Sequence, residues 1–246
     1  MKRIGVGLVL AGIALCACAD EIRVISGGAA RAFVEPTARS FPGHEVKLDW
    51  QPMGKLVQSL AAGQPADMII VTSEVLQQLE AEGKIAKGSG RPLARVGIGV
   101  AVNEKAPLPD ISTPEAFRRT LLAAKSIVYI DPRAGTSGKH VAEILAKLGI
   151  AEEVNRKATL GQGGHVVEPV GRGEIELGIH QVSEILPVKG VKLVGELPRE
   201  LQKYTVYVAA PTPSTGKSAL VQQLMQHLRS TSARERLAQA GYTLPE

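Results

Sequence analysis

Short apolar runs of strand character alternate with helix-periodic segments along nearly all of this 246-residue chain, and that alternation constrains the fold more than any other feature. Residues 22–26 are a first strand, leading through Gly27-Gly28 into a helix from about Ala29. Pro36 is expected to kink that helix or mark its restart, because proline has no N–H to give to the preceding turn. Residues 46–50 read as a second strand, and Leu56, Val57, Leu60 and Ala61 as the apolar stripe of a short helix. Residues 68–71 are an unbroken apolar run, as a buried strand requires. Ser73 then stands as the N-cap of a helix that turns Val75, Leu76 and Leu79 inward. The second half repeats this grammar. Residues 126–130, 174–180 and 191–194 are strands; Val141, Ile144, Leu145 and Leu148 recur at helical spacing ahead of Gly149. Leu220, Val221, Leu224, Met225 and Leu228 mark a last long helix. Such alternation gives mostly parallel sheets with helices on both faces, an α/β protein.

Two segments break the rhythm. Residues 95–103 and 203–210 are long, strand-like and low in charge, and they bracket a self-contained strand-helix block. A chain that leaves one lobe on the first and returns on the second makes a two-lobed protein. The expected division is residues 20–100 plus 205–246 in one lobe and 101–204 in the other. A ligand then sits between the lobes, outside the carboxyl ends of the strands, where helix starts converge.

Residues 1–19 are read as an export signal. Lys2 and Arg3 form a basic start, an apolar stretch follows, and Ala17-Cys18-Ala19 offers the small residues of a cleavage site ahead of Asp20. Both cysteines, Cys16 and Cys18, lie there, so the mature chain is expected to hold no disulfide, zinc thiolate or cysteine nucleophile. Leu15-Cys16-Ala17-Cys18 loosely resembles a lipobox, which would leave Cys18 as a lipidated terminus; a free periplasmic protein is the preferred reading. Beyond this segment no apolar stretch is long enough to span a membrane. The net charge of +5 is dispersed, and one Trp, four Tyr and three Phe are too few for base stacking, so nucleic acid is excluded as a partner.

The strand-to-helix turns carry the chemistry. Ser26-Gly27-Gly28-Ala29-Ala30, Pro52-Met53-Gly54-Lys55, Thr72-Ser73, Gly135-Thr136-Ser137-Gly138 and Gly161-Gln162-Gly163-Gly164 all place small or hydroxyl residues at helix starts. Glycine lets the backbone approach a ligand, and the free N–H groups of a helix start carry partial positive charge, so the natural guest is an anion. Residues 133–140 and 211–218 mimic a phosphate loop through Gly138-Lys139 and Gly216-Lys217-Ser218. Their leading positions, Arg133 and Pro211, lack the glycine that wraps the phosphates. There is no Gly-x-Ser-x-Gly elbow and no His-Glu-x-x-His helix, and the five histidines are scattered rather than paired at metal-ligand spacing. Neither a metal nor a cofactor is expected.

Taken in order, several pieces resemble the periplasmic molybdate-binding proteins of ABC importers, within the type II solute-binding fold. These are Ile22-Arg23-Val24 leading to Gly28-Ala29-Ala30; Leu56; Ala61-Ala62-Gly63-Gln64-Pro65-Ala66-Asp67; and Thr72-Ser73. Asp131-Pro132, Gly138, Leu177-Gly178-Ile179 and Gly190-Val191-Lys192 continue the series. The resemblance implies lobes that close on a small anion and deliver it to an inner-membrane ABC transporter permease, or present it to a sensor receptor; nothing in the sequence suggests more than a monomer. In that family neutral donors hold the oxyanion. Matched by position, the two serines fall on Ala29 and Met53, the backbone donors on Ser137 and near Gly163, and the tyrosine on Gln181. Each buried hydrogen bond left unreplaced costs about 1–3 kcal/mol, so molybdate is expected to bind poorly.

Basic residues lie in or beside the same turns: Arg31, Lys55, Arg133, Lys139, His165 and His180. Together they point to a larger anion, an organic di- or tricarboxylate that arginine can grip bidentately. The ligand-binding set is therefore Gly28, Ala29, Ala30, Arg31, Met53, Gly54, Ser73, Arg133, Thr136, Ser137, Gly138, Gly163, Gly164, His165, His180 and Gln181. Capture without catalysis is the leading expectation. The alternatives are molybdate, tungstate or another tetrahedral oxyanion as ligand, and a lyase or hydrolase on the same scaffold with His180 or His165 as general acid or base.

Overall fold

In the computed structural model, residues 20–245 are described; the expected export segment, with Cys16 and Cys18, lies outside them. The chain runs β1 (Glu21–Gly27), a 3-10 turn (Gly28–Ala30), α1 (Arg31–Arg39), β2 (Glu45–Gln51), α2 (Met53–Ala61), β3 (Met68–Thr72), α3 (Ser73–Ala81) and β4 (Arg91–Val96). It continues through β5 (Ile98–Asn103), α4 (Pro114–Ala123), β6 (Ile127–Ile130), α5 (Thr136–Lys147), α6 (Ala151–Asn155), β7 (Ala158–Gly161), α7 (Glu168–Gly171), β8 (Leu177–Gln181), α8 (Val182–Ile185) and β9 (Val191–Glu196). It ends with β10 (Thr205–Pro211), α9 (Ser218–His227) and α10 (Thr231–Gln239). No helix among the described residues is long and apolar enough to cross a membrane.

Two five-stranded sheets result, ordered β2-β1-β3-β10-β4 and β7-β6-β8-β5-β9. Within each, three strands run parallel through helical crossovers. The strand arriving from the other sheet, β10 or β5, runs antiparallel to both its neighbours. The sheets are therefore mixed rather than mostly parallel, because a crossing strand enters each lobe from the opposite edge. Strands such as β3, apolar from Met68 to Val71, are buried on both faces.

The expected single strand over residues 95–103 is broken at Gly97. A side chain there would meet Glu196 Oε1 at 2.7 Å and Gln202 Nε2 at 2.8 Å. Gln202 closes the gap, accepting from Ile98 N at 3.0 Å and donating to Ile98 O at 2.9 Å. The division expected after residue 100 falls inside β5, which lies wholly in the second sheet. Three further expectations are corrected. Thr72, not Ser73, is the N-cap of α3, its Oγ1 accepting from Val75 N at 3.4 Å. Residues 174–176 form a bend, held by Glu174 N and Ile175 N on Pro169 O, and β8 begins only at Leu177. Helix α1 passes through Pro36 to Arg39 without a restart.

One core joins Phe33, Tyr207 and Tyr242, whose rings meet edge to face at 4.8–6.3 Å, with Val221, Leu224 and Leu228 of the last helices' apolar faces. A second centres on Phe117, Tyr129, Ile144 and Leu145, and two further clusters gather around Leu56, Ile69 and Leu79 and around Val128, Val167 and Val170.

Candidate functional site

Parallel pairing sets Ser26 opposite Trp50 and Gly27 opposite Gln51, so the turns after β1 and β2 open side by side at the carboxyl edge of the first sheet. Gly28 is exposed, Ala29 half-buried and Ala30 buried. Met53, the first residue of α2, folds its thioether methyl over Gly27, in the space a side chain on Gly27 would need. This wall of the site is thus apolar, with no hydroxyl at either helix start. Arg31 opens α1 with its guanidinium 5.0 Å above the Trp50 ring and 3.8 Å from Glu35 Oε2. Gly54 and Lys55 are exposed, and Ser73 lies at the first position of α3 with Oγ 3.4 Å from Glu74.

The second sheet presents a polar wall. Its centre is Gly138 in the first turn of α5, where any side chain would strike the carbonyl oxygen of Ile130 and lie 2.7 Å from its carbonyl carbon. Glycine thus lets the helix start press against the end of β6, burying Ser137 beside the end of β8. Ser137 Oγ is 3.3 Å from His180 Nδ1, and His180 Nε2 is 3.0 Å from Gly164 O. A carbonyl only accepts, so Nε2 carries the ring proton. Burial of the imidazole holds its pKa down to about 4, against the Gly164 bond that favours the cation. The ring is neutral at pH 7, Nδ1 is a bare acceptor, and the Ser137 hydroxyl donates to it. Gly163 (φ 138°) and Gly164 (φ 67°) supply the left-handed backbone that aims this carbonyl inward.

Around this centre the charges are paired. Asp131 clasps Arg133 through both carboxylate oxygens, Nε at 3.1 Å and Nη2 at 2.7 Å, which holds the Asp131 carboxyl far below its usual range. Arg133 itself is almost wholly exposed, and Thr136 nearby is exposed. His165 Nδ1 stands 3.5 Å from Glu184 Oε2 on α8; burial raises the Glu184 carboxyl and His165 opposes that rise. Gln181 is buried, and its amide donates to Thr205 Oγ1 at 3.0 Å, bracing the end of β8 against the start of β10.

The two walls are tied by the end of the chain. The Tyr242 hydroxyl donates to Ala29 O, while a side chain on neighbouring Gly241 would meet Val182 of α8 and Leu186 just after it at 2.8 Å. Of the residues singled out from sequence, the structure joins Ser137, Gly164 and His180 in one chain of hydrogen bonds and stacks Met53 on Gly27. It turns Gln181 to a strut and gives Arg31 and Arg133 intramolecular partners. Asp131 is read from sequence only as part of the family resemblance, not as a partner of Arg133, and Glu184 and Tyr242 lie outside the glycine-rich turns, where only the fold brings them near.

A cavity of about 590 Å³ lies elsewhere, under the opposite edge of the first sheet between Arg23, Asp67, Thr212 and Lys217. Its Lys217 ammonium is 3.8 Å from Asp67, and Arg23 Nε is 2.7 Å from Glu21. Its cations are answered locally, and no converging helix starts face it from two lobes. The turns at the carboxyl edges therefore make the better site. Among the described residues no group of three or more His, Cys, Asp or Glu is placed to hold a metal.

A family model described as bacterial extracellular solute-binding protein matches residues 22–243. The chain is 32% identical to the aconitate isomerase of Pseudomonas sp, covering 95% of this chain and 92% of that protein. It is 26% identical to the molybdate-binding protein ModA of Azotobacter vinelandii, covering 96% of each. The solved structure of the Azotobacter vinelandii periplasmic molybdate-binding protein superposes with a TM-score of 0.75 at 19% identity, over 92% of this chain and 100% of that one. At that identity the likeness speaks for the fold.

Proposed function

Because the chain belongs to the bacterial extracellular solute-binding protein family, we propose that its cleft captures an organic tricarboxylate, of the aconitate class, for delivery to an inner-membrane ABC permease. The protein is a periplasmic anion-binding member of that family, with the two-lobed, mixed-sheet α/β fold of type II periplasmic binding proteins. The family's description is of solute binding. The observation that carries the tricarboxylate reading is the asymmetry of the two walls. Met53 and Ala29 offer a compact oxyanion nothing but backbone N–H groups, while Ser137, Arg133 and His165 lie on the far side. A planar acid with separated carboxylates can lay carbon against Met53 and still reach helix-start N–H groups with its ends. The name of the 32% identical relative, an enzyme of a tricarboxylate, agrees with that chemistry.

A second reading is a tetrahedral oxyanion. The molybdate-binding relative and solved structure support it, and it requires backbone N–H groups to replace the hydroxyls absent at Ala29 and Met53.

Thermal unfolding of residues 20–246 with each of two panels separates them: trans-aconitate, cis-aconitate, citrate and succinate, against molybdate, tungstate, sulfate and phosphate. At 100 times its dissociation constant the true ligand adds about 2.7 kcal/mol, roughly 5–11 °C for a chain of this size. The expected result is a shift with tricarboxylates alone. A shift with molybdate or tungstate alone would replace the proposal by the second reading. Binding is expected without conversion; appearance of cis-aconitate from trans-aconitate in the same samples would give the chain the isomerase reading that the relative's name supports.

A further inference from the structure

We propose that the Ser137–His180 pair couples anion capture to the uptake of one proton, which enters at His180 Nδ1 and turns the Ser137 hydroxyl from the imidazole to the ligand. The inference concerns the same cleft as the proposed function, though it holds for any anion seated there. Three facts of geometry lead to it. Gly164 O fixes the ring proton on Nε2, at 3.0 Å. Nδ1 is thereby left as the acceptor of the Ser137 hydroxyl, at 3.3 Å. And Ser137 is the second residue of α5, with its N–H among those free at the helix start.

In this resting arrangement the Ser137 oxygen offers the cleft lone pairs, which repel an anion. The helix start around it attracts one. The conflict is resolved when Nδ1 takes a proton from solvent: Nδ1–H then donates to Ser137 Oγ, the hydroxyl hydrogen is released, and it donates to the ligand. No covalent bond to the ligand forms or breaks, and the one proton consumed comes from buffer. The arriving negative charge raises the affinity of the buried imidazole for that proton.

The groups facing His180 are accounted for. From the loop after β7, Gly164 supplies the fixed acceptor and His165 a positive charge that opposes protonation when it is itself protonated. Glu184 of α8 faces His165 at 3.5 Å and tempers that charge. From the start of α5 comes Ser137, and Asp131, just past the end of β6, is engaged by Arg133. Antiparallel β5 places Gly99 opposite His180, with no titratable side chain.

Calorimetric titration with trans-aconitate at pH 6, in buffers of small and large ionisation enthalpy (MES and Bis-Tris), reads the proton directly. The wild type is expected to take up close to one more proton per ligand than His180→Gln. Its affinity should also tighten relative to that variant by up to about tenfold per pH unit as pH falls from 7 to 5. Ser137→Ala is expected to weaken binding while keeping the ring titration. Binding of trans-aconitate with equal uptake in wild type and His180→Gln would overturn the coupling and leave the tricarboxylate reading standing. If only molybdate binds, and with the same extra proton, the coupling stands and the tricarboxylate reading falls. If neither anion binds, both fall. Nitrogen-15 spectra of the free protein add a check independent of ligand: Nδ1–H as the neutral tautomer of His180 would also overturn the coupling.

Discussion

Gly138→Val is expected to destabilise the protein by about 3 kcal/mol, at the upper end of ordinary overpacking, and to abolish anion binding with it. The reason is backbone against backbone. The new side chain would strike the Ile130 carbonyl and lie 2.9 Å from Asp131 O, atoms fixed at the end of β6 and unable to swing away. Either β6 or α5 must shift, and a shift in α5 carries Ser137 off His180. Thermal unfolding should show a midpoint lowered by roughly 6–12 °C for a chain of this size. Gly28→Ala is the matched control, since a side chain there meets nothing within 4 Å and the backbone needs no left-handed angle. It should stay within about 0.5 kcal/mol of the parent. A Gly138→Val protein as stable as the parent would mean that the close approach of helix and strand is not what the sequence specifies.

The second large effect is acid lability centred on one imidazole. In the unfolded chain His180 titrates near 6.5, and in the fold near 4. Between those values the unfolded chain binds more protons. Stability contributed by the neutral ring is fully present above 6.5 and is lost as pH falls, at about 1.4 kcal/mol per unit, to a total of about 3 kcal/mol near pH 4. Below that no more is lost through this group. Other groups act in the same range: the raised carboxyl of Glu184 has the opposite sign, gaining stability as pH falls through its folded value. The difference between wild-type and His180→Gln denaturation curves isolates the imidazole. Those curves should converge from pH 7 to pH 4; parallel curves would show that His180 is not buried neutral.

Much of the fold was legible because burial leaves a periodic trace. The apolar run of β3, the Val141-Ile144-Leu145 face of α5 and the Val221-Leu224-Met225 face of α9 all read as they fold. Where burial is partial the trace fades. Helix α10 carries little apolar surface beyond Ala233 and Leu237, and no helix was read there. Residues 174–176 look like strand by composition, yet their backbone N–H groups turn to Pro169 O and Ser126 Oγ instead of a ladder. The break at Gly97 needed knowledge of Glu196 and Gln202, far away in sequence.

The candidate site divides in the same way. Turn glycines and Ser137 stood out because left-handed angles and close approaches demand particular residue types. The pairing of Ser137 with His180, 43 positions apart, did not, since spacing between different strand-helix units carries no contact information. Gln181 was matched to a ligand-facing position, but the fold gives its amide a partner in Thr205 across the lobes. Arg31 and Arg133 were legible as basic residues at turns; that Trp50 and Asp131 hold them was not.

The most direct test of the central claim is a crystal structure determined with trans-aconitate. The expected density lies between the two walls, with one carboxylate within hydrogen-bond distance of the first turn of α5 and the carbon skeleton against Met53. Density instead in the 590 Å³ cavity beside Arg23, Asp67 and Lys217 would contradict it. The ligand would then be held at the far edge of the first sheet, and the converging turns would be structural only.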